Sequence, residues 1–321
     1  MTQAAKDPAA VNRRITTLSV GVATILVILK TFAYGASGSV SILASLTDSA
    51  LDLLASLATF FAVRWAAAAP DAEHRYGHGK AESLAALVQS GLVAASAVFI
   101  GLEAVRRVFN PLPVTGGNWA IGVVAISMAL TGWLIWQQSR AIKTAGSVAV
   151  AGDRAHYSAD LAANAVVLIG VVSGSFLNAP GLDAAAGLVV AIWLGWGAFG
   201  LAKTAGNHLM DAAAPDEDRN AVVAAVLADP RVSNVHQLRT RIAGSTLMVQ
   251  MHVDLDPNLS LIEAHDLVVA AEKRVLEKFP AADIIIHADP APVRLPPASL
   301  DMPEPPATSE GEDTASKGPW G

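Results

Sequence analysis

The sequence predicts a membrane all-α domain of six transmembrane helices, followed by a small C-terminal α+β domain of order αββαβ. Three observations lead there. The chain of 321 residues is 53% hydrophobic and 16% charged, with a mean hydropathy of +0.43, which is too apolar for an ordinary soluble domain. Six apolar stretches, near 15–37, 41–66, 82–108, 118–139, 148–175 and 182–204, each reach the roughly 20 residues that cross a bilayer. After about residue 210 these runs give way to short segments of helical or alternating spacing.

The first stretch follows MTQAAKDPAAVNRR and has no small-residue cleavage site after it, so it is expected to be a retained helix. Lys and Arg orient the set. With the N-terminus inside, the inner segments hold Lys6, Arg13, Arg14, Arg64, Arg75, Lys80, Arg140, Lys143, Arg154 and Lys203, and the outer ones only Arg106 and Arg107. Ten against two places both termini in the cytoplasm.

Beyond residue 210, PDEDRNAVVAAVLADP has helical spacing with Asp216 and Glu217 in its first turn. VHQLRTRIA and STLMVQMHVDLD alternate like strands about a turn at Gly244. LSLIEAHDLVVAAEKRVLEKF is an amphipathic helix with Ser260 as its N-cap, and ADIIIHAD is a final strand. The expected division is an N-terminal segment 1–14, a membrane domain 15–208, an α+β domain 209–290 and a disordered, acidic, Pro-rich tail 291–321.

The net charge of −6 gives no sign of nucleic-acid binding, and no phosphate-cradling loop suggests that ATP drives anything. There are no cysteines, so any metal must be held by His, Asp, Glu or backbone oxygen.

Against that background, four ionisable residues stand out. Asp48 and Asp52 lie in SILASLTDSALDLLASLATFFAV, and His156 and Asp160 open HYSADLAANAVVLIGVVSG. Each pair is spaced i, i+4 and so shares one helical face. The alternative is that each is a buried polar group satisfied by a neighbouring helix. Two such pairs in one apolar chain point instead to an ion path. Three carboxylates and an imidazole suit a divalent metal such as zinc. Desolvation leaves the empty carboxylates ready for either a metal or protons, the physical basis of antiport.

Two further groups are weaker on pattern alone. In PDAEHRYGHGKAESLAAL, Asp71, His74 and His78 can hold a metal, with Gly77 and Gly79 letting the backbone fold around it; an ordinary exposed polar loop is the alternative. The C-terminal domain holds His236, His252, His265 and His287, half of all the histidines. Alternation puts Gln250, His252 and Asp254 on one strand face, and His287 and Asp289 on one face of the last strand. Two metals sharing a bridging carboxylate fit this group; exposed surface histidines are the alternative. Lys30 and Asp183 are either an interior ion pair or helix-end groups.

The segments GSVSILASLTDSALDLLASL, HRYGHGKAESLAALVQS, HYSADLAANA, LMDAAAPDEDR, HQLRTR and DIIIHADP together resemble the cation diffusion facilitators, in their bacterial zinc/ferrous-iron efflux branch. The resemblance runs from about residue 12 to residue 290. It implies a homodimer in the bacterial inner membrane, six transmembrane helices per chain, a metallochaperone-like cytoplasmic domain and exchange of divalent metal for protons, and hence a protein that is not an enzyme. Carried over by position, it implies a transport metal site of Asp48, Asp52, His156 and Asp160 and a loop metal site of Asp71, His74 and His78. It likewise implies a cytoplasmic binuclear site of His236, His252, His265, His287 and Asp289. Lys80 and Asp211 match a charge interlock between the two halves. The metal implied by the resemblance is zinc, with Fe2+, Cd2+ and Co2+ as alternatives. The tail is a departure from the family pattern.

The leading expectation is therefore a zinc/proton antiporter. A membrane-anchored metal sensor is the rival, and a degraded membrane quartet would favour it; here the quartet is intact. A passive channel conflicts with buried carboxylates, since conduction needs weak binding.

Overall fold

The computed structural model describes residues 8–37, 40–109, 118–172 and 182–291; the expected tail lies outside them beyond Ala291. Six long helices come first: α1 (Pro8–Ser37), α2 (Val40–Ala66), α3 (Lys80–Phe109), α4 (Asn118–Ala145), α5 (Val148–Val172) and α6 (Leu182–Leu209). By length and composition, α1, α2, α3 and α6 can each cross a membrane. At 25 residues α5 has the length as well, but Asp153, Arg154, His156 and Asp160 interrupt its apolar character.

α1 is helical from Pro8, the first described residue, ahead of the expected start at residue 15, because an apolar run marks what faces lipid and not where a helix begins.

The helical half is inside out relative to a soluble core. Phe32, Phe99, Ile192 and Phe199 are exposed, whereas Ser19, Ser49, Ser56, Gln89, Gln138 and Asp153 are buried. Lipid is as apolar as phenylalanine, so large side chains gain nothing by facing inward, and small or hydrogen-bonding ones make the helix contacts. On α3, Ser83, Ser90, Ala97 and Ala104 recur every seven residues; on α6, Ala184, Ala198 and Ala205 keep the same period, and all are buried. The backbones come close along these stripes: a Cβ added at Gly187 would stand 2.9 Å from that of Ala104.

The C-terminal domain follows as α7 (Asp216–Val226), β1 (Asn234–Ala243), β2 (Thr246–Leu255), α8 (Leu261–Lys278) and β3 (Asp283–Pro290). Its sheet has the order β1-β2-β3, with β1 antiparallel and β3 parallel to β2. Gly244, at φ +62°, supplies the positive φ of the tight β1–β2 turn. Ser260 caps α8 in a reciprocal capping box with Glu263. Val249, Met251 and Val253 point from β2 into a core completed by Val222, Val226, Leu267, Ala271 and Val275. The opposite face of β2 is left free for chemistry.

The two halves meet where α6 ends. The Ala212 N–H donates to the Asn207 carbonyl and the Asp211 N–H to the His208 carbonyl, a Schellman closure with Asp211 in the left-handed region at φ +58°. The Asp211 carboxylate then lies 3.0 Å from Lys80 Nζ and 3.1 Å from an Arg241 guanidinium nitrogen. Partial burial pushes this carboxyl up, but hydrogen bonds from Lys80 and Arg241 outweigh it and hold the group below the usual range. Arg241 also stacks over Tyr76, 5.0 Å from the ring centre. Gly79 was expected to serve the loop around Asp71. Its lack of a side chain has another cause: a Cβ there would collide with the Ala243 carbonyl at the end of β1.

Candidate metal centres

The α2 and α5 pairs meet. Asp52 Oδ1 lies 3.2 Å from His156 Nε2, and Asp160 Oδ2 lies 3.8 Å from the same nitrogen. One ligand atom from each of Asp52, His156 and Asp160 falls within 4.8 Å of the others, close enough for a single ion to touch all three. His156 is buried, and both its Nδ1 and Asp160 Oδ2 are buried without a hydrogen-bond partner among the described residues. The open carboxylate oxygen is a costly buried acceptor that a bound cation satisfies, and an imidazole that turns Nε2 to the cation carries its proton on Nδ1. Asp48 is one turn away on the α2 face but exposed, and it stands outside the three-residue cluster.

Behind the cluster lies a residue the sequence reading missed. Asp153 is fully buried; the Ser56 hydroxyl donates to its Oδ1 at 3.0 Å and Gln138 Nε2 donates to its Oδ2 at 2.8 Å. Ser56 also shares a 2.8 Å hydrogen bond with Tyr157, and Gln138 donates to Ser19 at 3.1 Å. Asp153 thus ties α5 to α2 and α4, and through Gln138 to α1, one turn before His156. The available signal was spacing: Asp153, His156, Tyr157 and Asp160 sit at i, i+3, i+4 and i+7 on one face.

In the loop after α2, His78 Nε2 is 3.2 Å from Asp71 Oδ2, and His74 Nδ1 is 3.4 Å from Asp71 Oδ1. The His74 backbone N–H donates to the same carboxylate at 2.6 Å, which holds Asp71 below the usual carboxylate range. Gly77, at φ +79°, makes the tight bend that brings His78 back. Trp65 packs beside both imidazoles.

The sheet builds the third group by register. His236, His252 and His287 are cross-strand partners in one row, and Asn234 and Asp289 flank Asp254 in the next row on the same face. Asp289 Oδ2 lies 2.9 Å from His252 Nδ1 and 3.5 Å from His236 Nε2, while its Oδ1 lies 3.2 Å from His287 Nε2. One carboxylate therefore reaches three imidazoles, the geometry a bridging ligand needs. Asp254, read from the sequence only as sharing the His252 face, is 3.1 Å from His236 Nε2 and joins the group. His265 does not join it. Leu267, Ala271 and Val275 turn the other side of α8 into the core, which leaves His265 exposed away from the row.

All three groups offer only nitrogen and oxygen donors, a set that suits zinc and neighbouring divalent metals. Residues 16–210 match the cation efflux transmembrane domain, and residues 214–291 match the cation efflux protein cytoplasmic domain. The chain is 38% identical over 272 residues to the cation-efflux pump FieF of Cronobacter sakazakii, covering 85% of this chain and 90% of that one. It is 37% identical over 280 residues to FieF of Salmonella choleraesuis, covering 87% and 93%. Among solved structures, the metal-bound C-terminal domain of the CzcD transporter from Thermotoga maritima is 28% identical, covers 23% of this chain and 87% of its own, and has a TM-score of 0.23. The chain belongs to the cation efflux, or cation diffusion facilitator, family.

Proposed function

We propose that this protein exports a divalent transition metal, zinc foremost and ferrous iron as an alternative, from the cytoplasm in exchange for protons. The Asp52–His156–Asp160 cluster carries the reading, because it gathers two carboxylates and an imidazole inside a helical domain that is otherwise largely apolar. Asp48, one turn from Asp52, is the fourth ligand in this reading. Metal ligands bind in deprotonated form, so a metal that enters displaces protons and protons that enter displace the metal. Residues 15–208 perform transport, residues 209–290 bind metal in the cytoplasm, and the chain works as a homodimer in a bacterial inner membrane with both termini inside. The excess of Lys and Arg on the inner segments supports that orientation. Asp71, His74 and His78 form an accessory metal site, and Asp289 bridges metals held by His236, His252 and His287.

The test is metal flux into proteoliposomes with the membrane potential clamped, for zinc, iron, cadmium and cobalt, across a series of pH gradients. Zinc flux that rises with a proton gradient directed against zinc movement is the expected result. Flux that follows the zinc gradient and ignores pH means a uniporter. Zinc binding with no flux means a membrane-anchored sensor.

A further inference from the structure

The Asp183 side chain, considered from sequence as a partner for Lys30, lies outside the described residues. Among the described residues, Lys30 turns to α2. Lys30 is 8% exposed; its Nζ donates to the Ser49 hydroxyl at 2.6 Å and to the Ser45 carbonyl at 3.1 Å. Ser45, Asp48, Ser49 and Asp52 are spaced i, i+3, i+4 and i+7, so they share one face of α2. The amine is thereby fixed on the face that presents both aspartates. Asp52 and Asp48 on α2 and Asp160 on α5 all lie within its electrostatic reach, and His156 adjoins Asp52. Among the described residues, no carboxylate forms a direct ion pair with Lys30, so its charge acts on the cluster through space.

We propose that Lys30 is a positioning residue of the transport site, a built-in cation that Ser45 and Ser49 hold beside Asp48 and Asp52 to weaken metal binding enough for release. The inference rests on the transport reading above. The physical need is plain. Carboxylates and an imidazole in a medium of low dielectric attract a divalent cation strongly, and an ion that must leave each cycle cannot be held at full strength. A fixed positive charge nearby opposes the arriving metal and lowers the barrier to its departure. Hydrogen bonding to a serine hydroxyl and a backbone carbonyl, in place of a carboxylate, keeps the lysine close without occupying a ligand.

Zinc flux into proteoliposomes, fitted for KM and kcat, separates this role from a tether between α1 and α2. Lys30→Gln keeps hydrogen-bonding capacity and removes the charge; its KM for zinc should fall roughly tenfold and its kcat should fall with it. Lys30→Arg should restore both. Ser49→Ala loosens the tether and keeps the charge, so its KM should stay within about twofold of the parent. An unchanged or raised KM in Lys30→Gln overturns the proposal, as does a Ser49→Ala variant that reproduces the Lys30→Gln effect. If Lys30→Gln does not fold, a Lys30→Arg KM unlike the parent's overturns it and a parental value supports it. Failure of the transport reading shows separately, as absence of flux in the parent protein. The inference is then read from zinc calorimetry on the full-length protein, taking only the binding that Asp160→Ala abolishes. Tighter binding in Lys30→Gln supports the proposal and equal or weaker binding overturns it.

Discussion

The intramembrane cluster and the sheet cluster use the same residue types on opposite scaffolds. In the membrane, two helices each present a pair at i, i+4, and the imidazole between Asp52 and Asp160 is buried among apolar helices. In the cytoplasmic domain, three strands align histidines in one row, and the members range from half-buried to well exposed, with His287 64% exposed. Burial strengthens every electrostatic interaction and makes an unpaired charge expensive, so the helical site responds sharply to which cation it holds. The sheet site stays in contact with water and depends on one shared carboxylate to assemble its ligands. In the proposed function, similar donors would therefore serve exchange in one place and retention in the other.

The largest expected effect breaks the helical site. Asp160→Ala should bring zinc flux down to that of protein-free liposomes while the protein elutes as a folded dimer, because it removes a ligand and a negative charge from a small buried cluster. Size-exclusion chromatography and flux together check this; near-parental flux would remove Asp160 from the site.

Next comes the bridging carboxylate. In an Asp160→Ala background, Asp289→Ala should lower zinc affinity on the order of 100-fold, about 3 kcal/mol, whereas the more exposed His287→Ala should cost tenfold or less, about 1.4 kcal/mol. Calorimetry that ranks His287 above Asp289 contradicts the bridging role. Selectivity should shift by a smaller amount. His156→Asp exchanges a nitrogen donor for oxygen, and the ratio of zinc to manganese transport should fall roughly tenfold. An unchanged ratio moves discrimination away from His156.

The smallest effect concerns the junction. A carboxyl whose pKa is depressed in the folded protein contributes stability that is fully present above its ordinary pKa and lost as pH falls through the folded value. Asp211 is such a group, though 38% of its side chain is exposed, so its two ion pairs contribute about 0.5 kcal/mol after solvent screening. The thermal midpoints of the parent and Asp211→Asn should begin to converge as pH falls below about 4 and meet only below the folded value. A gap that persists at acid pH would mean that the Asn disturbs the left-handed closure of α6 and not the charge pair.

Much of this was legible in the sequence, and the failures are instructive. Period four on a helix and period two on a strand place His156 beside Asp160 and His252 beside Asp254 without knowledge of the fold. Which helices adjoin is not periodic information, so the sequence alone does not say that α2 lies against α5. Asp153 was hidden for another reason. It stands next to Arg154, and a charged pair near a helix end looks like ordinary interfacial polarity until Ser56 and Gln138 are seen closing over the carboxylate. His265 shows a different limit. It has the right chemistry, but the apolar stripe of its own helix leaves it exposed and outside the row that one chain assembles. The seven-residue alanine and serine stripes of α3 and α6 were in plain view, yet small residues carry little hydropathy signal and gain meaning only when two helices are seen to touch.

The meeting of Gly79 with the β1–β2 turn has a consequence for inheritance. Two pieces of main chain touch there, so this part of the joint depends on an absence of side chains: Gly79 on one side and Gly244, whose added Cβ would stand 3.2 Å from the Gly79 backbone, on the other. Each half can accumulate substitutions in its own core while the two still dock in the same pose, provided that both glycines and the Lys80–Asp211–Arg241 ion pairs are retained.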